Sequence, residues 1–414
     1  MHLALNFQHV DPKRGGAETY VADLCKKLTE AGHRVDLYAE TVARGSIAAA
    51  VNVINVPVTG KGRLARIQSF ARNSAALVEQ AHQDCSVGFI NTYSHDVIIP
   101  QGGVHQASLM ANSLRFSSPT LQRAYRLGKM LNPKYWSYRS IENKQYDAAR
   151  SARVIAVSEM VKGHLEEYHQ VPSRWIHVVP NAIDPERIRV SQPGAVRCAF
   201  RNKMGYEPGD IVGLFVGHNF ALKGLRPLLE ALGERRRNPG ARTIHLLVSG
   251  GGNIAPYRRL AKRLGLSETV RFLGFYPDVN ACYRSSDFFV QPTYYDPCSL
   301  VVLEALACGL PVITTSRNGA SELMTDGREG FILTAPDARG ELIAALNGMT
   351  IDSRRIAMAV EAARLGARQT FDLHVSRLVT VFEEVARSRS GRSLPHSRKR
   401  GSRSNSRQTG GARS

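Results

Sequence analysis

The sequence predicts an α/β protein made of two successive doubly wound domains, each on a parallel sheet. Two observations carry this. Short apolar runs alternate with stretches whose apolar residues recur at helical spacing. The alternation breaks once, in a polar stretch at 184–210 containing Pro185, Pro193, Gly194, Pro208 and Gly209, and then resumes. A chain of 414 residues, at roughly 150 per domain, also accommodates two or three domains.

Leu3 to Phe7 is the first apolar run and reads as a strand. A polar loop with Gly15-Gly16 follows. Ala17, Tyr20, Val21, Leu24, Cys25 and Leu28 then fall on one face of a helix. Gly32 is its stop signal, and Val35 to Ala39 is the next strand. Strand, glycine loop, helix and strand make a βαβ unit, which implies a parallel sheet. Val51–Val56, Val87–Ile90, Val97–Ile99, Val154–Val157 and Ile176–Val179 continue the series. The second series has strands at Ile211–Val216, Ile244–Val248, Val270–Phe272, Phe288–Val290 and Val312–Thr314, with helices such as Leu225–Leu232 and Ile254–Leu264 between them. The predicted organisation is a first domain at 1–184, a second at 185–372, and a helix at 373–387 returning to the first. A tail follows at 388–414. The tail is Ser, Arg and Gly with almost no large apolar side chain, a composition that predicts disorder. Two such domains place a cleft between the carboxyl ends of their strands.

Apolar residues are 43% and charged residues 22%, which excludes a collagen-like or wholly disordered chain. The formal net charge is +20. Nine of the 55 Lys and Arg lie from Arg387 to the end, where no acid occurs, so the rest of the chain carries 46 cations against 35 acids. That excess favours an anionic substrate, a membrane surface or nucleic acid. The six cysteines are scattered without C-x-x-C spacing and read as free thiols in a reducing compartment. Met1 to Phe7 is too short for a signal-peptide core, and no apolar run reaches 18 residues, so neither secretion nor a spanning helix is expected.

The densest chemical signal is the stretch from Asp296 to Thr314, after the strand Phe288–Val290. Asp296 fits a helix N-cap and Pro297 its first turn. Helix geometry does not explain Glu304, a carboxylate inside the apolar run Leu300–Leu306, which needs a partner. Asp296 at the helix mouth and Glu304 two turns in are placed to hold two hydroxyl-bearing parts of one ligand. The amides of Cys298, Ser299 and Leu300 would face a phosphate.

This stretch resembles the E-x7-E region of retaining, nucleotide-sugar-dependent glycosyltransferases of family 4, which have the GT-B fold. Other markers stand in order over roughly residues 1–385. They are Gly15-Gly16; Ala156 to Glu159 with Pro180 to Asp184; Gly217 with Lys223-Gly224; and Gly274-Phe275 with Asp278-Val279. Gly102-Gly103-Val104-His105 is most similar to lipopolysaccharide-core glucosyltransferase-like members.

The resemblance implies roles residue by residue. Glu304 would bind the ribose hydroxyls, and Asp296, one methylene shorter than the family's glutamate, a donor-sugar hydroxyl. Cys298, Ser299 and Leu300 would offer amides to sugar and phosphate, and Lys223 would neutralise the diphosphate. His105 would stand beside the reacting sugar. Gly15 and Gly16 would let backbone approach phosphate and acceptor without a Cβ. The family's second cation, usually an arginine near the lysine, has no counterpart in residues 218–222, which leaves Arg14 or Arg226.

The implied activity is a hexosyltransferase (2.4.1.-) with retention, by front-face attack in which the leaving phosphate takes the acceptor proton. No Asp-x-Asp motif occurs, so no metal and no cofactor are expected. The first domain would hold a glycan or lipid-linked acceptor, in lipopolysaccharide-core or cell-surface polysaccharide synthesis. Lys61–Arg72 and Arg115–Lys144 are basic, the second interleaved with Leu121, Tyr125, Leu127, Met130, Leu131, Tyr135 and Trp136. Such a segment can lie on an anionic membrane, which predicts a cytoplasmic protein, peripheral on the inner face of the plasma membrane. Two rival readings remain. One is a sugar-nucleotide 2-epimerase, which would need acid/base residues not found here. The other is nucleic-acid binding through the tail, which lacks stacking aromatics. An oxidoreductase is disfavoured, because Arg14-Gly-Gly-Ala-Glu18 stands where G-x-G-x-x-G would be required.

Overall fold

The computed structural model describes residues 1–93, 95–147 and 152–392. The strands of its first half are β1 (His2–Asn6), β2 (His9–Val10), β3 (Arg34–Ala39), β4 (Thr41–Val42), β5 (Asn52–Asn55), β6 (Cys85–Gly88), β7 (Val97–Ile98), β8 (Arg153–Ala156) and β9 (Ile176–Val178). All but β2 and β4 form one seven-stranded sheet of order β5-β3-β1-β6-β7-β8-β9, with every pairing parallel. The order reverses between β1 and β6. The second half holds β10 (Ile211–Val216), β11 (Ile244–Ser249), β12 (Val270–Gly274), β13 (Phe288–Val290), β14 (Val312–Thr315) and β15 (Gly330–Leu333). They form a parallel sheet of order β12-β11-β10-β13-β14-β15, which reverses between β10 and β13. In open α/β sheets ligands bind at such reversal points, outside the carboxyl ends of the strands.

The first half carries helices α1 (Gly16–Glu30), α2 (Arg63–Gln80), α3 (His105–Ser113), α4 (Pro119–Met130), α5 (Pro133–Gln145) and α6 (Glu159–His169). The stripe read from the sequence is the face α1 buries: Tyr20, Val21, Leu24, Cys25 and Leu28. The second half carries α7 (Pro193–Met204), α8 (Leu225–Arg236), α9 (Ala255–Arg263), α10 (Val279–Ser285), α11 (Leu300–Ala307), α12 (Arg339–Met349) and α13 (Asp352–Arg368), followed by α14 (Phe371–Arg392).

One expectation is filled in and two are corrected. The polar stretch 184–210, where the alternation breaks, carries regular structure of its own. A short 3-10 turn at Pro185–Ile188 leads into α7. Arg197 and Arg201 of α7 both reach Asp287, at 2.6 and 3.4 Å, and Asp287 also accepts the Val212 amide at 2.7 Å. These two arginines of the polar stretch thus tie α7 to the second sheet. The last helix is also longer than expected. It runs through Ser388 to Arg392, so the tail read from 388 overlaps it. Residues 393–414 lie outside the described residues. Finally, Asp296 does not cap a helix, for a reason given below.

Helix α14 returns to the first half. Tyr20 Oη donates to His374 Nε2 at 2.7 Å, and His374 Nδ1 donates to the Pro180 carbonyl at 2.8 Å. The Phe371 ring packs edge-on against Tyr20. All six cysteines are free.

Candidate active site

The segment from Tyr295 to Leu300 follows β13, at the reversal point of the second sheet. Four loops of the first half reach it, each from the carboxyl end of a strand. Beyond β1 and the short β2, at the first residue of α1, a Cβ added to Gly16 would lie 3.1 Å from Leu300 Cδ1. After β7, the Val104 amide donates to Tyr295 Oη at 3.1 Å, and Gly103 packs so closely that a Cβ would strike that hydroxyl and the Pro297 ring. After β8, Ser158 Oγ donates to the Pro297 carbonyl at 2.7 Å. After β9, Asn181 Nδ2 donates to the Cys298 carbonyl at 3.1 Å. The strand ends of both sheets therefore face one another across this segment.

Asp296 stays extended because its backbone is held on both sides: its N–H donates to Arg317 O (3.0 Å) and its C=O accepts from Gly319 (2.9 Å). The helix starts only at Leu300, with Ser299 as N-cap. The Asp296 side chain is freed from capping and pairs instead with Lys223 Nζ. Lys223 ends the turn after β10, which closes through Gly224 at φ +78°, where an added Cβ would strike the Pro292 carbonyl. Both side chains are mostly buried.

The Ser299 amide already donates to Asn318 Oδ1 at 3.2 Å. The amides of Cys298 and Leu300 have no protein acceptor among the described residues. They sit one residue before and one after, at the positive end of α11. The Cys298 thiol is buried, and burial pushes its pKa up, so it is a packing group rather than a nucleophile.

Glu304 is buried in α11, as its apolar neighbours require, and it has the partners such a carboxylate needs. Tyr283 Oη donates to Oε2 at 2.8 Å, and Arg187 Nη2 lies 3.5 Å from Oε1. Burial raises the Glu304 pKa, while Arg187 and the tyrosine hydroxyl pull it back down. Neither partner was singled out from the sequence. Arg187 looks like one more charge in a polar stretch, and Tyr283 like one more core aromatic. The unexplained charge of Glu304 was the only signal for them.

His105 opens α3, at the rim of the same cleft. Its ring lies between those of Tyr135 and Tyr138, at 5.7 and 5.4 Å, and its amide donates to Glu142 at 2.8 Å. Burial lowers its pKa, which favours a neutral ring at pH 7. A cavity of about 340 Å³ runs from His105 to Asn219 in the turn that carries Lys223. Arg226, one of the two arginines read as a second cation, is paired on the surface with Glu230 at 3.3 Å. Arg14 makes no ion pair among the described residues. Asp278 Oδ1 caps α10 by accepting the Ala281 amide at 3.1 Å.

Comparison with known proteins agrees with this arrangement. A family model described as Glycosyltransferase Family 4 matches residues 14–187, and one described as Glycosyl transferases group 1 matches residues 210–352. The chain belongs to the family 4 glycosyltransferases. The lipopolysaccharide glucosyltransferase WaaG of Escherichia coli is 25% identical over 352 residues, spanning 84% of this chain and 90% of that protein. The D-inositol 3-phosphate glycosyltransferase 2 of Catenulispora acidiphila is 28% identical over 390 residues, 85% of this chain and 87% of that one. A crystal structure of WaaG matches this glycosyltransferase with a TM-score of 0.76 at 22% identity, covering 92% of this chain and 99% of the other. That of Anabaena HepE with UDP-glucose matches at 0.64 and 20% identity, covering 94% and 100%. The shared fold is GT-B, as the sequence implies.

Proposed function

We propose that this glycosyltransferase moves a hexose from a nucleoside-diphosphate sugar to a hydroxyl of a glycan or lipid-linked acceptor, with retention at the anomeric carbon. The observation that carries the reading is the pairing of Lys223 with Asp296 beside two open amides. A diphosphate entering there meets one cation and the positive end of α11, a preorganised set of dipoles for the charge that develops on the leaving group. Asp296, released from Lys223 by the incoming phosphate, takes a sugar hydroxyl. Glu304 takes the ribose hydroxyls, and His105 with the Gly15-Gly16 loop borders the sugar from the first half. HepE, which shares the fold, was crystallised with UDP-glucose, in keeping with such a donor.

In the transfer, the bond from the anomeric carbon to the phosphate oxygen breaks as the bond to the acceptor oxygen forms on the same face. The acceptor proton passes to the departing phosphate oxygen. Asp296 and Glu304 act as hydroxyl binders, not as the nucleophile and acid of a retaining hydrolase. Lys223 and the amides supply the positive charge, so the reaction proceeds without metal or cofactor. Turnover of UDP-glucose and related donors in excess chelator, with NMR of the product anomer, tests this. An inverted product, or activity only with added metal, would sink it.

The acceptor reading extends to the membrane. No helix among the described residues is long and apolar enough to cross one. Helix α4 buries no side chain, and Leu121, Leu127, Leu131 and Trp136 of the α4–α5 region are 54, 62, 84 and 52% exposed among Arg123, Arg126, Lys129 and Lys134. Apolar side chains ringed by cations suit the interface of an anionic bilayer. A cytoplasmic enzyme lying on the inner face of the plasma membrane, adding a sugar to a lipopolysaccharide core or related envelope glycan, fits that surface. WaaG, a relative over most of the chain, is named for such an acceptor.

A further inference from the structure

His105 borders the donor sugar on the proposed reading, and its ring is open to the cleft. It lines cavities of about 250 and 340 Å³, and neither ring nitrogen is hydrogen-bonded to protein among the described residues. What fixes the ring there is not in its own helix. Helix α3 is nine residues long, its N-cap is Val104, which has no side-chain acceptor, and no acid stands in its first turn. The amides that open it therefore need acceptors from elsewhere.

Two distant residues supply them. The Val104 amide donates to Tyr295 Oη of the second half at 3.1 Å, and the His105 amide donates to Glu142 Oε1 of α5 at 2.8 Å. Gly103, at φ +67°, lets the chain pass close enough, since a Cβ there would stand 2.1 Å from the Tyr295 hydroxyl. Tyr295 is buried and directly precedes Asp296, so the segment that carries Asp296 also grips the start of α3.

Glu142 is placed against local preference. It is the one acid among seven Lys and Arg from Arg115 to Lys144, and it lies in the last turn of α5, whose negative end disfavours a carboxylate. At the positive end of α3 the same carboxylate is favoured. Tyr135, Tyr138 and Glu142 recur at intervals of three and four, on one face of α5. All three meet His105, the rings at 5.7 and 5.4 Å and the carboxylate on its amide. The second carboxylate oxygen lies 3.5 Å from His169 Nε2 of α6. Gln145, at the end of α5, anchors the helix by donating to the Phe89 carbonyl at 2.5 Å.

We propose that Glu142 and Tyr295 are positioning residues for His105. Each holds one of the two amides that set where α3 begins, Glu142 from within the first half and Tyr295 across the cleft. The histidine ring takes its place beside the sugar only when both amides are held. The proposal rests on the donor reading for the sugar, whereas the placement of the ring is a property of the protein alone.

The ring is read by NMR of the full chain with histidine labelled at Cε1, the His105 signal being the one lost in His105→Ala. It should move in Glu142→Ala and in Tyr295→Phe and stay in place in Glu142→Gln, whose amide oxygen still accepts the bond. Turnover of UDP-glucose and related donors should show kcat about tenfold lower in Glu142→Ala and Tyr295→Phe, with donor KM within about twofold of wild type. Glu142→Gln should recover most of that loss, and neither change should cost more when added to His105→Ala. Thermal unfolding checks that each variant folds. Should Glu142→Ala not fold, Glu142→Asp, which withdraws the carboxylate by one methylene, replaces it. A His105 signal unmoved by Glu142→Ala or Tyr295→Phe, or moved as far by Glu142→Gln, overturns the proposal. So do kcat losses that add in full to that of His105→Ala. Absence of turnover with every donor tried removes the donor reading, and the ring signal then decides the positioning by itself.

Discussion

Arg187 Nη2 lies 3.5 Å from Glu304 Oε1. The same guanidinium reaches Asp23 on α1, Nη1 to Oδ2 at 3.4 Å. One arginine from the turn between the halves thus holds a carboxylate of each. Arg187 is itself half-buried, but Glu304 is buried, so removing the guanidinium leaves that carboxylate with less counter-charge. Arg187→Met should lower the melting temperature and raise donor KM with little change in kcat, because its partner would hold the ribose, not the reacting atoms. Glu304→Ala should raise donor KM about tenfold or more, and Tyr283→Phe less. A fall in kcat at unchanged KM in Glu304→Ala would contradict a ribose role.

Lys223 and Asp296 act differently. If the lysine meets the charge that grows on the leaving diphosphate, as proposed, Lys223→Gln should reduce kcat by about 10²–10³. Asp296→Asn removes the counter-ion of Lys223 and, on the proposed reading, a sugar contact. Steady-state kinetics with both variants should show the Lys223 loss in kcat, and the Asp296 loss in kcat and KM together.

His374 makes stability depend on pH. Burial lowers its pKa to about 4, because the site is built for the neutral ring: Nδ1 donates to Pro180 O and Nε2 accepts from Tyr20. The unfolded imidazole titrates near 6.5. Between those values the unfolded chain binds more protons, so this contribution is complete above about 6.5 and is lost as pH falls toward 4. Asp23 has the opposite sign. Burial raises its pKa to about 6, so its contribution declines as pH rises from about 4 to 6. The stability gap between wild type and His374→Gln should therefore shrink between pH 7 and pH 4, by up to about 3 kcal/mol, in urea titrations. A gap that widens in acid would mean that the ring is charged in the native state.

Gly319 lies under the Pro297–Ser299 turn, and a Cβ there would stand 1.9 Å from the Pro297 carbonyl and 2.5 Å from Ser158. Those atoms are the bond between the halves after β8. Gly319→Ala should destabilise the fold by about 1–3 kcal/mol and cut activity more than Ser158→Ala does. Calorimetry and turnover of the two variants check this.

Replacing Leu127 and Leu131 by serine should weaken binding to vesicles rich in phosphatidylglycerol and leave donor hydrolysis unchanged. These side chains are 62 and 84% exposed, and each buried methylene contributes about 0.8 kcal/mol to interfacial binding. Co-sedimentation with anionic and neutral vesicles reads the effect.

Apolar runs and helical spacing located the seven strands of the first sheet, five of the six of the second and helices such as α1, α8 and α9, because a buried face recurs in the chain at a fixed interval; the short edge strand β15 was not read. The apolar run Leu300–Leu306 also marked Glu304 as a carboxylate in need of company. Partnership across the fold has no such interval. Arg187 is 117 residues from Glu304 in the chain, and Tyr20 is 354 residues from His374. Where Asp296 points was decided by a backbone bridge to Asn318, which no local rule anticipates and which moved the helix start to Leu300. The partners of Arg197 and Arg201 in the polar stretch 184–210 were not legible, because a charge shows its partner only when distant chain is folded against it. Local sequence thus determined which segments take regular structure and which residue types carry the chemistry. Tertiary packing decided which of those groups face one another, since a side chain's environment is set by neighbours that lie far away along the backbone.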